Sequence, residues 1–90
     1  MARKKPKTNQ ILNAAIIEVV DNQLLERNPP ETQQTYDRLI KAGYSDKETR
    51  DLIGSVVSSE VFEVLNKREP YDHERFISAL QRLPTLPWEK

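Results

Sequence analysis

The chain of 90 residues has no cysteine, one histidine and only two glycines. Without cysteine it can form neither disulfides nor thiolate metal sites, and a single histidine cannot supply the usual zinc ligands. Neither the GxGxxG nor the GxxxxGK[ST] phosphate-binding loop occurs. No apolar run approaches the ~20 residues that a membrane helix needs, and the N-terminus makes a poor signal peptide. We therefore expect a cytoplasmic protein without metal or other cofactor.

Positive charge is concentrated at the start of the chain. The chain has 14 basic and 14 acidic residues, so its formal net charge is zero. Four of the basic residues fall within the first seven positions: Arg3, Lys4, Lys5 and Lys7. The 10 basic and 14 acidic residues that remain give the body a net charge of −4. We predict that residues 1–7 form a disordered basic arm and that residues 8–90 form a single helical domain.

The longest helical pattern runs from Ser45 to Lys67. Its apolar residues recur at the three- and four-residue intervals of one helix face. They are Leu52, Ile53, Val56, Val57, Val61, Val64 and Leu65. Ser45 followed by Glu48 predicts a capping box at the start. Because a helix of ~21 residues is about 31 Å long, the width of a small domain, we predict that the other elements pack around it.

Three further helices are predicted. They cover roughly residues 9–27, 30–42 and 73–83. Thr8 and Asp72 are the expected N-caps of the first and last of these helices. Gly43 is expected to end the second in a left-handed conformation. Since no stretch has the alternation of a strand, the sequence predicts an all-α fold, a small bundle of three substantial helices and one short one.

The first predicted helix is apolar on more than one side. Its strongest face contains Ile16, Val19 and Val20, whereas Ile17 and Leu24 fall outside that arc. An apolar surface this wide indicates contact on two sides or a partner chain. We predict a protein partner or a symmetric homodimer that forms through Ile17 and Leu24.

Glu60 is a carboxylate on an apolar helix face. Burial would raise its pKa and a cationic neighbour would lower it. Gln23 has a similar position on the first helix, so Glu60 and Gln23 form a possible buried polar pair if the two helices pack face to face. The other interpretations are a pair with an arginine such as Arg38, a helix that leaves the core at this point, and a functional carboxylate.

Two features bear on nucleic acid. The segment from Tyr36 to Val57, helix, glycine turn and helix, has the outline of a helix-turn-helix. The start of its second helix mixes acids and bases, which repel phosphates as much as they attract them; these residues are Asp46, Lys47, Glu48, Arg50 and Asp51. The basic arm has no interleaved aromatic residue for base stacking. A plain helical hairpin and a solubilising tail are therefore favoured, and nucleic-acid binding by the arm stays the weaker prediction.

The C-terminal segment contains the only tryptophan of the chain. Pro84 and Pro87 prevent it from continuing the fourth helix. Burial of an indole ring contributes roughly 1.5–3 kcal/mol. We therefore predict that Leu86 and Trp88 dock into a groove between the third helix and its neighbours, as a structural clasp.

Three short motifs have a counterpart in a known group of proteins: Asp21-Asn22-Gln23, the turn between Arg38-Leu39 and Gly43, and Ile53-Gly54-Ser55-Val56. Through them, residues 11–89 resemble a group of small, uncharacterised bacterial helical proteins. The resemblance implies a helical fold and no established activity. Related sequences carry histidine pairs on the first and third helices. Lys47 and Asp51 stand in the third-helix pair here. If such pairs bind metal in the related proteins, the resemblance implies that this site is absent from the present chain.

The sequence therefore predicts a small helical interaction or scaffold protein that is not an enzyme. It offers no catalytic residue, cofactor-binding residue or metal ligand. One alternative is a nucleic-acid-associated protein that uses the basic arm. The other is a degenerate member of a metal-binding, enzyme-like family.

Overall fold

The computed structural model describes the backbone of residues 7–89 and the side chains of residues 14–89. Within this part the chain forms four helices and no strand: α1 (Lys7–Glu26), α2 (Pro30–Lys41), α3 (Asp46–Lys67) and α4 (His73–Arg82). The predicted all-α bundle of three substantial helices and one short one is confirmed. α1 starts earlier than predicted, so Thr8 lies inside the helix and is not its cap.

α3 lies at the centre of the bundle. It contacts α1, α2 and α4, and α4 also contacts α2. Its buried face includes Ile53, Val56 and Val57. These side chains form one core with residues of the other helices and the tail, namely Val20, Leu39, Phe76, Leu80 and Leu83. The predicted central position of the third helix is therefore confirmed.

The helix ends follow local rules. The Glu48 amide donates to the Ser45 hydroxyl at 3.0 Å, and the Ser45 amide donates to the Glu48 carboxylate at 2.9 Å, which completes the predicted capping box. Gly43 follows α2 with a φ of +107°, the left-handed region expected there. The Asp72 carboxylate caps α4 by accepting from the Arg75 amide at 3.1 Å.

α1 and α3 run antiparallel and approach closely at Gly54. A Cβ atom at this position would lie 3.3 Å from Cγ2 of Ile16 and 3.6 Å from Cδ1 of Ile17. Further along, Arg50 of α3 pairs with Asp21 of α1. Because lower numbers on α3 meet higher numbers on α1, the two helices have opposite directions. The missing side chain at Gly54 is what lets α1 lie against the backbone of α3.

Candidate interaction surface

Glu60 joins α3 to α4 through a buried ion pair, with only 8% of the residue exposed. Arg75 donates to both of its oxygens, from Nε to Oε1 at 3.0 Å and from Nη2 to Oε2 at 2.7 Å. The Asp72 amide also donates to Oε2, at 3.0 Å. A bidentate arginine–carboxylate pair is among the stronger side-chain interactions. Glu60 therefore fixes the start of α4 against α3.

The charge state of this pair follows from the same contacts. The hydrogen bonds from Arg75 lower the pKa of Glu60, burial opposes this effect, and the Asp72 amide lowers the pKa further. The Glu60 carboxylate in turn raises the pKa of Arg75. A general acid or base needs a proton that it can exchange with a substrate near neutral pH. Glu60 instead has both oxygens occupied by its own chain, so we assign it a structural role.

The predicted pairing of Glu60 with Gln23 is wrong. Gln23 Oε1 accepts a hydrogen bond from the hydroxyl of Thr32 at 2.9 Å, which joins α1 to α2. Gln23 is only half-buried, whereas Thr32 is fully buried. The helix that packs over Glu60 is α4, and it places Arg75 beside the carboxylate. The pairing prediction failed because it treated α1 as the helix that faces Glu60.

Arg38, the alternative partner, is also used elsewhere. Its Nη2 donates to the carbonyl of Leu80 at 3.0 Å and its Nη1 donates to the carbonyl of Leu83 at 2.9 Å. The last carbonyls of a helix have no helical partner, so a cation is favourable at this end. Arg38 of α2 therefore caps the C-terminus of α4.

Ile17 and Leu24, the predicted association residues, are both half-buried within the chain. Leu24 packs against the core, and Ile17 lies beside Gly54 of α3. Among the described side chains of α1, Leu25 is strongly exposed, at 82%. Both residues are thus used in part for packing inside the chain, and association through them stays a prediction.

The outer face of α3 carries three exposed apolar side chains close together. Val61, Phe62 and Leu65 are 43%, 59% and 74% exposed. Residues three and four apart are neighbours on a helix surface, so these side chains form one raised strip, which we call the apolar ridge. The spacing of apolar residues predicts Val61 and Leu65 on the inner face of α3, and this prediction is wrong. The C-terminal half of α3 has apolar residues around most of its circumference. The spacing of these residues alone therefore does not distinguish the buried side from the exposed side.

A groove continues the same side of α3 toward its N-terminus. It has a volume of about 670 Å³ and lies between α1 and α3. We call it the α1–α3 groove. Its lining residues are Ala14, Ile16, Ile17, Lys47, Asp51, Gly54, Ser55, Ser58 and Trp88. Lys47 and Asp51 form a salt bridge of 2.8 Å within it.

The C-terminal tail returns to the bundle, but its indole ring is not buried. Leu86 and Pro87 are half-buried, whereas Trp88 lines the α1–α3 groove and is 63% exposed. A turn, in which the Glu89 amide donates to the carbonyl of Leu86 at 3.0 Å, shapes this segment. The predicted clasp is therefore right for the returning tail and wrong for the burial of Trp88.

Three residues of the predicted basic arm lie outside the described part of the chain: Arg3, Lys4 and Lys5. Lys7 is the first residue of α1, and its side chain is likewise outside the described part. The role of the arm stays a prediction.

Three further observations concern chemistry and membranes. Within residues 14–89, no group of three or more histidine, aspartate or glutamate side chains is placed to hold a metal ion. His73 is exposed at the start of α4, and its Nδ1 lies 3.1 Å from the hydroxyl of Tyr71. No described helix combines the length and apolar character that a membrane crossing requires.

Comparison of the chain with protein-family models, with curated proteins and with solved structures gave no match. The resemblance to small bacterial helical proteins therefore stays a prediction from three short motifs.

Sequence reasoning missed Phe62 and Trp88 as parts of an exposed surface. Phe62 follows the core residue Ile53 by nine positions. At about 100° per residue this places Phe62 on the opposite side of α3. An aromatic side chain there was a visible sign of an interaction surface, whereas the exposure of Trp88 depends on the fold of the tail.

Proposed function

We propose that this protein is a small, non-catalytic interaction protein that binds another protein through the outer face of α3. The observation that carries the proposal is the joint exposure of Val61, Phe62 and Leu65. Contiguous exposed apolar surfaces of this kind mark protein interaction sites on soluble domains. Aromatic residues such as Phe62 and Trp88 are enriched in the cores of protein interfaces.

The use of the polar groups supports binding more than catalysis. Both oxygens of Glu60 are held by donors of the same chain, and Asp51 is paired with Lys47. The α1–α3 groove contains the Lys47–Asp51 pair and otherwise serine hydroxyls and apolar groups. These groups provide neither an activated nucleophile nor a positioned acid and base.

The test compares proteins captured from a native lysate by three immobilised full-length chains. One is the natural sequence, one carries Phe62→Glu with Leu65→Glu, and one carries Leu25→Glu as a matched control. All three positions are exposed, so the folds should be unchanged, and circular dichroism checks this. We expect quantitative mass spectrometry to show partners depleted at least about tenfold by the ridge variant, equal to about 1.4 kcal/mol, and retained by the control. Identical captured sets for all three chains would contradict the proposal.

A further inference from the structure

We infer that the partner on the outer face of α3 is a second copy of this chain, packed with its α3 antiparallel to the first about a two-fold axis. The inference rests on the proposed function and names the occupant of the same surface. It comes from the shape of that surface, which contains both a projection and a matching depression.

The outer face of α3 follows a heptad-like spacing. Five residues recur along it at intervals of three, four, three and four positions: Asp51, Gly54, Ser58, Val61 and Leu65. This is the repeat by which two long helices keep one seam in contact. The core residues Ile53, Val56 and Val57 lie outside this seam. Gly54 is its one buried member and lies at the edge of the seam, where α1 packs.

The two halves of the seam differ in shape. Gly54, Ser55 and Ser58 line the α1–α3 groove. Immediately C-terminal to them, the ridge residues Phe62 and Leu65 project into solvent. A groove of about 670 Å³ is within the size range that holds a small ligand, so it has room for such side chains. Small residues opposite large ones are what interdigitated helix packing requires.

A two-fold axis that crosses α3 between residues 59 and 60 places the ridge half of one copy opposite the groove half of the other. Leu65 lies about 8 Å along α3 from this axis, and Gly54 lies about 8 Å on the other side. Val61 and Ser58 lie about 2 Å on either side of it. A second copy related by this axis therefore places the ridge of each chain over the groove of the other. A second copy therefore covers the ridge and the groove in one contact, which favours it over an unrelated helix.

The charges at the ends of the seam are complementary in the same arrangement. Asp51 of one copy, which pairs with Lys47 of its own chain, comes opposite the C-terminal end of α3 of the second copy. Arg68 is exposed there, beside Lys67, whose own partner is Glu63. The two-fold axis generates this contact twice. A parallel arrangement would instead set Asp51 against Asp51, and like charges at an interface disfavour that pairing.

Because the chain has no cysteine, introduced cysteines report the register directly. Ser55→Cys and Leu65→Cys are made as separate full-length variants, then oxidised alone and as an equal mixture. In the antiparallel seam, position 65 of one chain lies opposite position 54 of the other, so position 55 is only about 1.5 Å away from it along the helix axis. Like positions are about 13–17 Å apart along the helix axis, too far for a disulfide. We expect a cross-linked dimer at several-fold higher yield in the mixture than in either variant alone.

Sedimentation velocity provides the second readout without cysteines. We expect a dimer for the natural chain and for Leu25→Glu, and at least about a tenfold weaker dimer for Phe62→Glu, equal to about 1.4 kcal/mol. The inference is overturned by a natural chain that stays monomeric, by a dimer that survives Phe62→Glu, or by cross-linking of each single variant with itself. In that case, capture of a different protein that depends on the ridge in the lysate experiment would still support the proposed function. If no captured protein depends on the ridge either, the proposed function and the inference are both wrong.

Discussion

At Glu60, three donors of the same chain converge on one carboxylate beneath the start of α4. Arg75 supplies two of them and the Asp72 amide supplies the third. Removing one partner of a buried ion pair leaves the other with its desolvation cost uncompensated. Arg75 is half-buried, so water can partly hydrate its guanidinium group when Glu60 is replaced. The desolvation cost is therefore smaller here than at a fully enclosed site.

We expect Glu60→Gln to lower the free energy of unfolding by roughly 1.5–3 kcal/mol, the usual contribution of hydrogen bonds to a charged group. Urea unfolding at pH 7 measures this value. Glu63→Gln is the matched control, since it removes a carboxylate from the same helix whose partner is the exposed Lys67. Surface pairs contribute about 0–1 kcal/mol, so the control should change little.

The difference between the natural chain and Glu60→Gln should depend on pH. The pKa of Glu60 is lowered by folding, so the stability it contributes is fully present above the unfolded pKa. As pH falls below the ordinary value of 4.5 and through the lower folded pKa, protonation removes that contribution. The two unfolding free energies should therefore converge in acid. A difference that stays constant down to pH ~2, below a carboxylate's usual range, would contradict the charged pair.

At the scale of the helices, the contact between α1 and α3 depends on Gly54. Cγ2 of Ile16 would lie 3.3 Å from an added Cβ, which is tight, so the size of the substituted side chain decides the outcome. A helical alanine is more favourable than glycine by roughly 0.8–1 kcal/mol, which works against the steric cost.

We expect Gly54→Ala to be close to neutral and Gly54→Val to destabilise the fold by roughly 1–3 kcal/mol, the usual cost of overpacking. Thermal unfolding in dilute solution, where the chain is monomeric, measures both variants, with Ser58→Val as the control on the exposed side of the same helix. Serine and valine have similar helix propensities, so the control should be nearly silent. If Gly54→Val is tolerated as well as Ser58→Val, α1 does not lie against α3 at this position.

At the scale of the whole molecule, the sequence was sufficient where local rules decide the structure. The capping box at Ser45, the glycine after α2 and the cap at Asp72 each depend on residues close in the chain. The central position of the third helix followed from its length and apolar content. These features together determine the fold class.

Contacts between distant segments could not be predicted in the same way. Glu60 meets Arg75 because α4 turns back over α3, and no local pattern specifies that turn. Val61 and Leu65 have the spacing of core residues, yet α1 and α4 leave them exposed. The exposure of Trp88 likewise depends on how the tail turns. The candidate interaction surface therefore emerged only from the packed structure.

The emission of Trp88 is the measurement that tests the central claim most directly, because this residue is the only tryptophan and lines the α1–α3 groove. In dilute solution we expect emission close to that of free tryptophan and efficient quenching by iodide. At high concentration the Phe62 and Leu65 side chains of a second copy should cover the ring, so emission should shift to the blue and quenching should fall. Phe62→Glu should abolish both changes. Emission that is independent of concentration, or that shifts equally in Phe62→Glu, would contradict the account.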